Sequence, residues 1–222
     1  MSARRVLVAA AALVLAGAAG GLAGCDDDPP GRRGPAGPRL TGELVPVTSR
    51  ALAAVTAPHV DLELEGVYVD PRSRRYPTCP GHRRVTAEID FRGADVYGDL
   101  VVGRCPGEDR WGAYCDGRPP PARLVGVVGP RRGADLRHCT RTVLADGSEV
   151  HAGIQVLYQE GRYRVVQRYA EGWRLAITHR TDQDVRIPAA QLVAAVSDPA
   201  LGPLVDAAYV EAGRALPSGG ER

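Results

Sequence analysis

The residues of this chain best equipped for chemistry are its five cysteines and five histidines. Cys79, Cys105, Cys115 and Cys139 lie in the middle of the sequence, and an even number of thiols in an oxidising compartment favours two disulfides among three possible connectivities. Cys105 and Cys115 enclose a short, turn-rich loop, so spacing points to Cys105 bonded to Cys115 and Cys79 to Cys139. A bridge of that span contributes roughly 2–3 kcal/mol. The competing chemistry is zinc, because Cys79-Pro80-Gly81-His82 and His138-Cys139 together offer two thiolates and two imidazoles. Adjacent ligands such as His138 and Cys139 fit badly around one tetrahedral ion, and exported cysteines oxidise, so disulfides are expected and neither a metal nor any other cofactor is. His151 and His179 fall on expected strands and read as surface or half-buried residues.

The fifth cysteine, Cys25, has a different setting. Met1 to Arg5 carries two arginines and no acid, Val6 to Ala23 is an uncharged Ala, Val, Leu and Gly run, and small residues lead into Cys25, which is the order of a secretory leader. Leu22-Ala23-Gly24-Cys25 resembles the lipobox of bacterial lipoproteins, with a bulky aliphatic three positions before the cysteine and two small residues between. The resemblance implies that Leu22, Ala23 and Gly24 are read by the processing enzymes, that the Cys25 sulfur carries diacylglycerol, and that cleavage makes Cys25 the N-terminus. Two acyl chains at about 0.8 kcal/mol per buried CH₂ hold a protein stably on a membrane where one does not. An uncleaved transmembrane helix is the alternative, but the run of apolar residues is short of the roughly 20 that a span requires. Arg4-Arg5 leaves the export route open between the general and twin-arginine systems. Asp26 resembles the inner-membrane retention signal of lipoproteins in bacteria with two membranes.

Charge excludes several partners. All 28 basic residues are arginine, facing 26 carboxylates; a leader ending at Gly24 takes Arg4 and Arg5 with it and leaves a formally neutral chain. Such a chain lacks the long-range field of a nucleic-acid binder. The absence of lysine excludes Schiff-base chemistry, phosphate-loop lysines and Ser-x-x-Lys nucleophiles.

Elements that must position any site begin after residue 40. Residues 25–40, rich in Asp, Pro and Gly, read as the lipidated cysteine and an extended tether. Residues 41–215 have the size of one domain, and 216–222 read as a frayed tail. In residues 44–58 Ser49 is placed to cap a short helix. Val60, Leu62 and Leu64 alternate with acids until Gly66 shifts the parity to Val67 and Val69, as across a bulge. Asp61, Glu63 and Glu65 are then the wet face of a strand, not a glycosidase pair. Val85, Ala87, Ile89 and Phe91 alternate with polar residues and form a hairpin with residues 96–102 around Arg92-Gly93-Ala94. Residues 103–121 are expected as a surface loop and 123–128 as a short strand. Residues 140–145, 149–158, 163–169 and 173–180 read as four consecutive antiparallel strands, the first pair joined at Asp146-Gly147. Helical periodicity follows from Pro188 to Asp198-Pro199 and again over 203–213. The expected fold is α+β: a mainly antiparallel meander of about six to eight strands with two short C-terminal helices on one face.

Thr142-Val143-Leu144-Ala145-Asp146-Gly147 and Ile187-Pro188-Ala189-Ala190-Gln191-Leu192-Val193-Ala194-Ala195-Val196-Ser197-Asp198-Pro199 resemble the C-terminal half of uncharacterised lipoproteins of actinomycetes. That likeness implies an exported, lipid-anchored protein at the extracytoplasmic face of the membrane and carries no activity with it.

No nucleophile motif stands out, since Gly147-Ser148-Glu149 lacks the Gly-x-Ser-x-Gly elbow and sits in a turn. The arginine groups Arg72, Arg74, Arg75 and Arg131, Arg132 read as solvated loops. Trp111 and Tyr114, inside the cysteine loop, are the aromatics expected to be exposed for recognition of a partner or sugar. Three functions follow: a non-catalytic envelope module that binds an unknown protein or envelope ligand, an extracytoplasmic hydrolase built on converging Ser148, His151 and His179, and a structural or assembly factor. The first is preferred.

Overall fold

Leu44–Pro46 forms a short strand, β1, and Thr48 then starts helix α1, Ser49–Thr56. The Thr48 hydroxyl accepts from the Ala51 amide at 3.2 Å; its extended backbone aims the oxygen at the first turn, so the cap falls one residue before Ser49. A 3-10 turn over Ala57–His59 leads into β2, Leu64–Tyr68. The computed structural model describes residues 37–69, 81–103, 113–115, 134–157, 161–183 and 185–219. Leu22, Ala23, Gly24, Cys25, Cys79, Cys105, Trp111, the 123–128 strand and the loop arginines at 72, 74, 75, 131 and 132 lie outside the described residues.

The hairpin read from alternation is β3, Arg83–Phe91, with β4, Ala94–Val102, in register from Arg83 opposite Val102 to Phe91 opposite Ala94. Ala113–Cys115 forms β5 and Ala134–Val143 forms β6, which pair in parallel. The meander continues through β7, Glu149–Leu157, β8, Gly161–Ala170, and β9, Trp173–Arg180. One sheet of eight strands results, in the order β2-β3-β4-β9-β8-β7-β6-β5, antiparallel except at its last pair. The expected bulge in β2 is present, with a register shift between Leu64 and Gly66. Asp61, Glu63 and Glu65 are exposed as expected.

Helix α2, Ala189–Ser197, and α1 cover one sheet face. Leu52, Leu192 and Val196 there meet Val85, Ala87, Ile89, Val96, Leu100, Val166, Leu175 and Ile177, all buried. Apolar burial stabilises at about 25 cal/mol per Å², and this face carries the larger of the described hydrophobic clusters. The opposite face mixes buried apolar residues such as Leu136, Val165 and Tyr169 with buried polar ones, of which Thr86, Asp99, Gln167 and His151 occupy one cross-strand row. Asp99 there receives Arg84 Nε at 2.7 Å and Arg174 Nη2 at 3.1 Å, so its charge is compensated twice.

Two expectations at the C-terminus change. Leu204–Asp206 is a strand, β10, paired with β1, and only Ala207–Ala215 is helical, as α3. Asp206 is spent as the helix cap: it accepts from Ala208 at 2.9 Å and from the Thr41 and Gly42 amides, and these backbone donors hold its carboxyl at about 2. Helix α3 packs on α1 rather than on the sheet. A Cβ at Gly213 would come within 2.6 Å of the Arg50 carbonyl, so glycine sets that close approach. Residues Leu216–Gly219 are also not a frayed tail. Pro217 and Gly219 bond Val67 on both sides, satisfying backbone groups along β2 that its other neighbour leaves free. Among the described residues no helix is long and apolar enough to cross a membrane.

Candidate functional site

Helix α2 stops short of one corner of the sheet, and there a groove of about 550 Å³ opens on the β6-β7-β8 surface. A second depression of about 320 Å³ shares His138, Ile154 and Arg164 with it and reaches Ala189, Ala190 and Val193 in the first turns of α2. The strand pairing explains the lining. Arg137, Ile154 and Arg164 stand side by side in one row, and Val156 and Arg162 in the next. Neighbouring strands lie about 4.8 Å apart and alternate residues share a face, so three arginines ring an apolar floor of Ile154 and Val156. Arg186, in the connection into α2, adds a fourth guanidinium.

The groove wall departs from regular strand at His138. Arg137 opposes Ile154 while Thr140 opposes Ala152, so β6 carries an extra residue, and His138 takes φ 51, in the left-handed region uncommon for residues other than glycine. Gly153 makes room for this bulge: a Cβ there would lie 2.8 Å from the Leu136 Cβ and 3.0 Å from the Arg137 carbonyl. Backbone strain of this kind is characteristic of binding and catalytic positions.

Arginines outnumber carboxylates four to one among the residues lining the groove. Asp182, its acidic lining residue, is held by Arg180 through two bonds, at 3.2 and 2.9 Å, which lower its carboxyl below the ordinary value. Arg164 donates to the Ile187 carbonyl. Arg137, Arg162 and Arg186 have no carboxylate within ion-pair distance among the described residues. The Thr181 hydroxyl donates to the Arg162 carbonyl at 3.1 Å. Guanidinium groups donate hydrogen bonds but do not exchange protons near neutrality. The arrangement is therefore suited to holding an anion against an apolar floor.

The residues singled out from sequence fare differently. Cys115 is bonded to Cys139, with Cα atoms 5.4 Å apart, which overturns both Cys105–Cys115 and Cys79–Cys139. The parallel pairing of β5 with β6 places Cys115 opposite Leu136, and the bulge at His138 carries Cys139 back beside it. Short sequence spacing loses to strand pairing. With its sulfur in that bond Cys139 is no thiolate, so the four-ligand zinc arrangement drawn from it does not form. Tyr114 is 1% exposed and packs on Tyr169 at 5.7 Å and on His151 at 6.4 Å; it is part of the interior and not an exposed recognition aromatic.

His151 and His179 are on strands, but both are fully buried rather than superficial. The Cys115 amide donates to His151 Nδ1 at 3.3 Å, and His151 Nε2 lies 3.4 Å from Glu149, which Arg141 clasps at 2.9 and 2.7 Å. His179 Nε2 accepts from the Ile187 amide at 3.2 Å, while Nδ1 lies 3.0 Å from the Asp95 carbonyl. Burial pushes both imidazoles below their ordinary value. The Ser148 hydroxyl donates to Asp146 at 2.5 Å and accepts from Arg168 at 3.0 Å. Ser148 and His179 share the helix-covered face but lie at opposite ends of it, roughly 20 Å apart at strand rise; His151 lies on the other face. These three do not converge as a hydrolase needs.

Sequence reading missed Arg137, Arg162, Arg164 and Arg186. The signal available was local: Arg162 and Arg164 share a face of a strand whose hairpin partner sets Ile154 and Val156 opposite them. No protein-family model, curated protein or solved structure matches the chain.

Proposed function

We propose that this protein is a lipid-anchored binding module of the extracytoplasmic membrane face, non-catalytic, with the arginine-lined groove as its binding site. The observation that carries the binding reading is the groove itself: three guanidiniums that have no carboxylate partner among the described residues, around Ile154 and Val156, at a strained bulge. A volume of about 550 Å³ is within the range of small-ligand sites. The address rests on Leu22-Ala23-Gly24-Cys25 and on the apolar run before it. The Cys115–Cys139 bond supports an oxidising compartment.

Metabolic labelling with a palmitate analogue tests the address. The wild-type chain should take up label and lose residues 1–24, and Cys25→Ala should do neither. An unlabelled wild-type chain whose mass retains the leader would overturn the anchor. Binding is tested by the titrations described next.

A further inference from the structure

We infer that the groove takes a phosphate-ester anion, with its phosphoryl oxygens on Arg137, Arg162 and Arg186 and its organic part on Ile154 and Val156. This rests on reading the groove as the binding site. The argument is one of charge and shape. A single carboxylate brings one negative charge and two acceptor oxygens, and three guanidiniums with no carboxylate partner among the described residues would still repel one another around it. A phosphomonoester brings up to two charges and three outward oxygens, which match the planar fork of arginine.

Strand geometry brings these donors to one place. Arg137 and Arg164 flank Ile154 across two strand spacings, and Arg162 is two residues from Arg164 on the same face. Arg164 is already committed to the Ile187 carbonyl, so it braces the segment that presents Arg186 and leaves the other three to the ligand. The first turn of α2 adds to the same field. Pro188, at its N-cap, offers no side-chain hydrogen bond, and Ala189 and Ala190 line the adjoining depression, so the positive end of a nine-residue helix opens toward the groove. The floor supplies the second half of the recognition. Val156 is 42% exposed, an apolar surface available to the carbon skeleton of an ester that inorganic phosphate lacks.

The experiment is calorimetric titration of glycerol 3-phosphate into the full-length protein in non-ionic detergent at low ionic strength, with glycerate as a single-carboxylate probe. Glycerol 3-phosphate should bind at one site. The double variant Arg162→Ala, Arg186→Ala should weaken it by roughly tenfold or more, the loss of charge-assisted hydrogen bonds. Both side chains are exposed, and an unchanged thermal midpoint will show that the variant is folded. Arg162→Lys, Arg186→Lys keeps the charge without the fork and should fall between the two. Binding that the alanine variant leaves unchanged would overturn the assignment of these arginines. Glycerate binding without glycerol 3-phosphate binding would overturn the phosphate class and leave the groove standing as a binding site. No binding of either probe to a folded protein would overturn both. Displacement of bound glycerol 3-phosphate by phosphatidic acid, a phosphomonoester lipid, in mixed detergent micelles, and not by phosphatidylcholine in the same micelles, supports a lipid headgroup as the natural source; no displacement supports a soluble ester.

Discussion

The backbone amide of Cys115 donates to Nδ1 of His151, and so the half of β5 that carries a disulfide is tied to the interior of β7 as well as to β6. The bond to Cys139 closes a sequence separation of 24 residues. Replacing both cysteines by alanine should destabilise the oxidised protein by about 3 kcal/mol, the chain-entropy value for a loop of that length. Equal urea midpoints for wild type and variant would remove the disulfide from the list of what holds the fold.

With Cys115 and Cys139 joined, a second bond among the four has one remaining form, Cys79 with Cys105. The register of β3 and β4 supports it: Arg83 faces Val102, and a Cβ on Gly103 would fall 2.1 Å from the Gly81 carbonyl, so the strands still run side by side at those residues. Peptide mapping under non-reducing conditions should recover the 79–105 pair. Free thiols at both positions would refute it.

Arg168 is 5% exposed and joins the β6-β7 turn to the end of α2. It donates to Asp146 at 2.6 Å, to Ser148 at 3.0 Å and to the carbonyls of Val196 and Asp198 at 3.3 and 3.2 Å, with Trp173 stacked 5.0 Å from its Cζ. Burial works against the Asp146 charge, but Ser148 and Arg168 hold that carboxyl at about 2. Arg168→Met should cost about 3 kcal/mol in urea unfolding, because buried carbonyls lose their donors. Asp146→Ala, whose side chain is half exposed, should cost about 1 kcal/mol or less. Equal costs would place the weight of the cluster on the ion pair instead of on the carbonyl contacts.

Stability should fall on mild acidification. Burial, the largest influence on both His151 and His179, holds each imidazole below the ordinary value in the folded protein. The unfolded chain therefore binds more protons below about pH 6.5, so this contribution is fully present above that pH and is lost as pH drops toward the folded values. Asp146 and Asp206, both at about 2, start to lose their contribution only below about pH 4. Urea midpoints should drop between about pH 7.5 and about pH 5.5, and His179→Gln should flatten that slope. A midpoint independent of pH in this window would contradict the burial argument.

Much of the architecture was legible in the chain, because strand alternation is a local property. Val85, Ala87, Ile89 and Phe91 had to share a face whatever they packed on, and Gly66 marked a bulge by breaking parity. Asp146-Gly147, Gly161 and Gly172 marked the reversals of the meander, each glycine with positive φ. The helical stripe of Leu192 and Val196 was equally local. The segment before α3 was misread because Leu204 and Val205 pair with β1, some 160 residues earlier in the chain, and no local pattern records that partner.

The site was the part that sequence could not assemble. Arg137, Arg162 and Arg186 come from β6, β8 and the approach to α2, and they line one groove because, among the described residues, a bulge at His138 and the start of α2 leave one corner of the sheet uncovered. The same tertiary pairing chose Cys139 over Cys105 as the partner of Cys115 and turned Tyr114 inward. By itself the sequence determined which side chains share a face and where the chain turns, since those depend on the backbone within a few residues. Which distant strands become neighbours, and therefore which charges and sulfurs touch, depends on long-range pairing, and only the folded structure decided it.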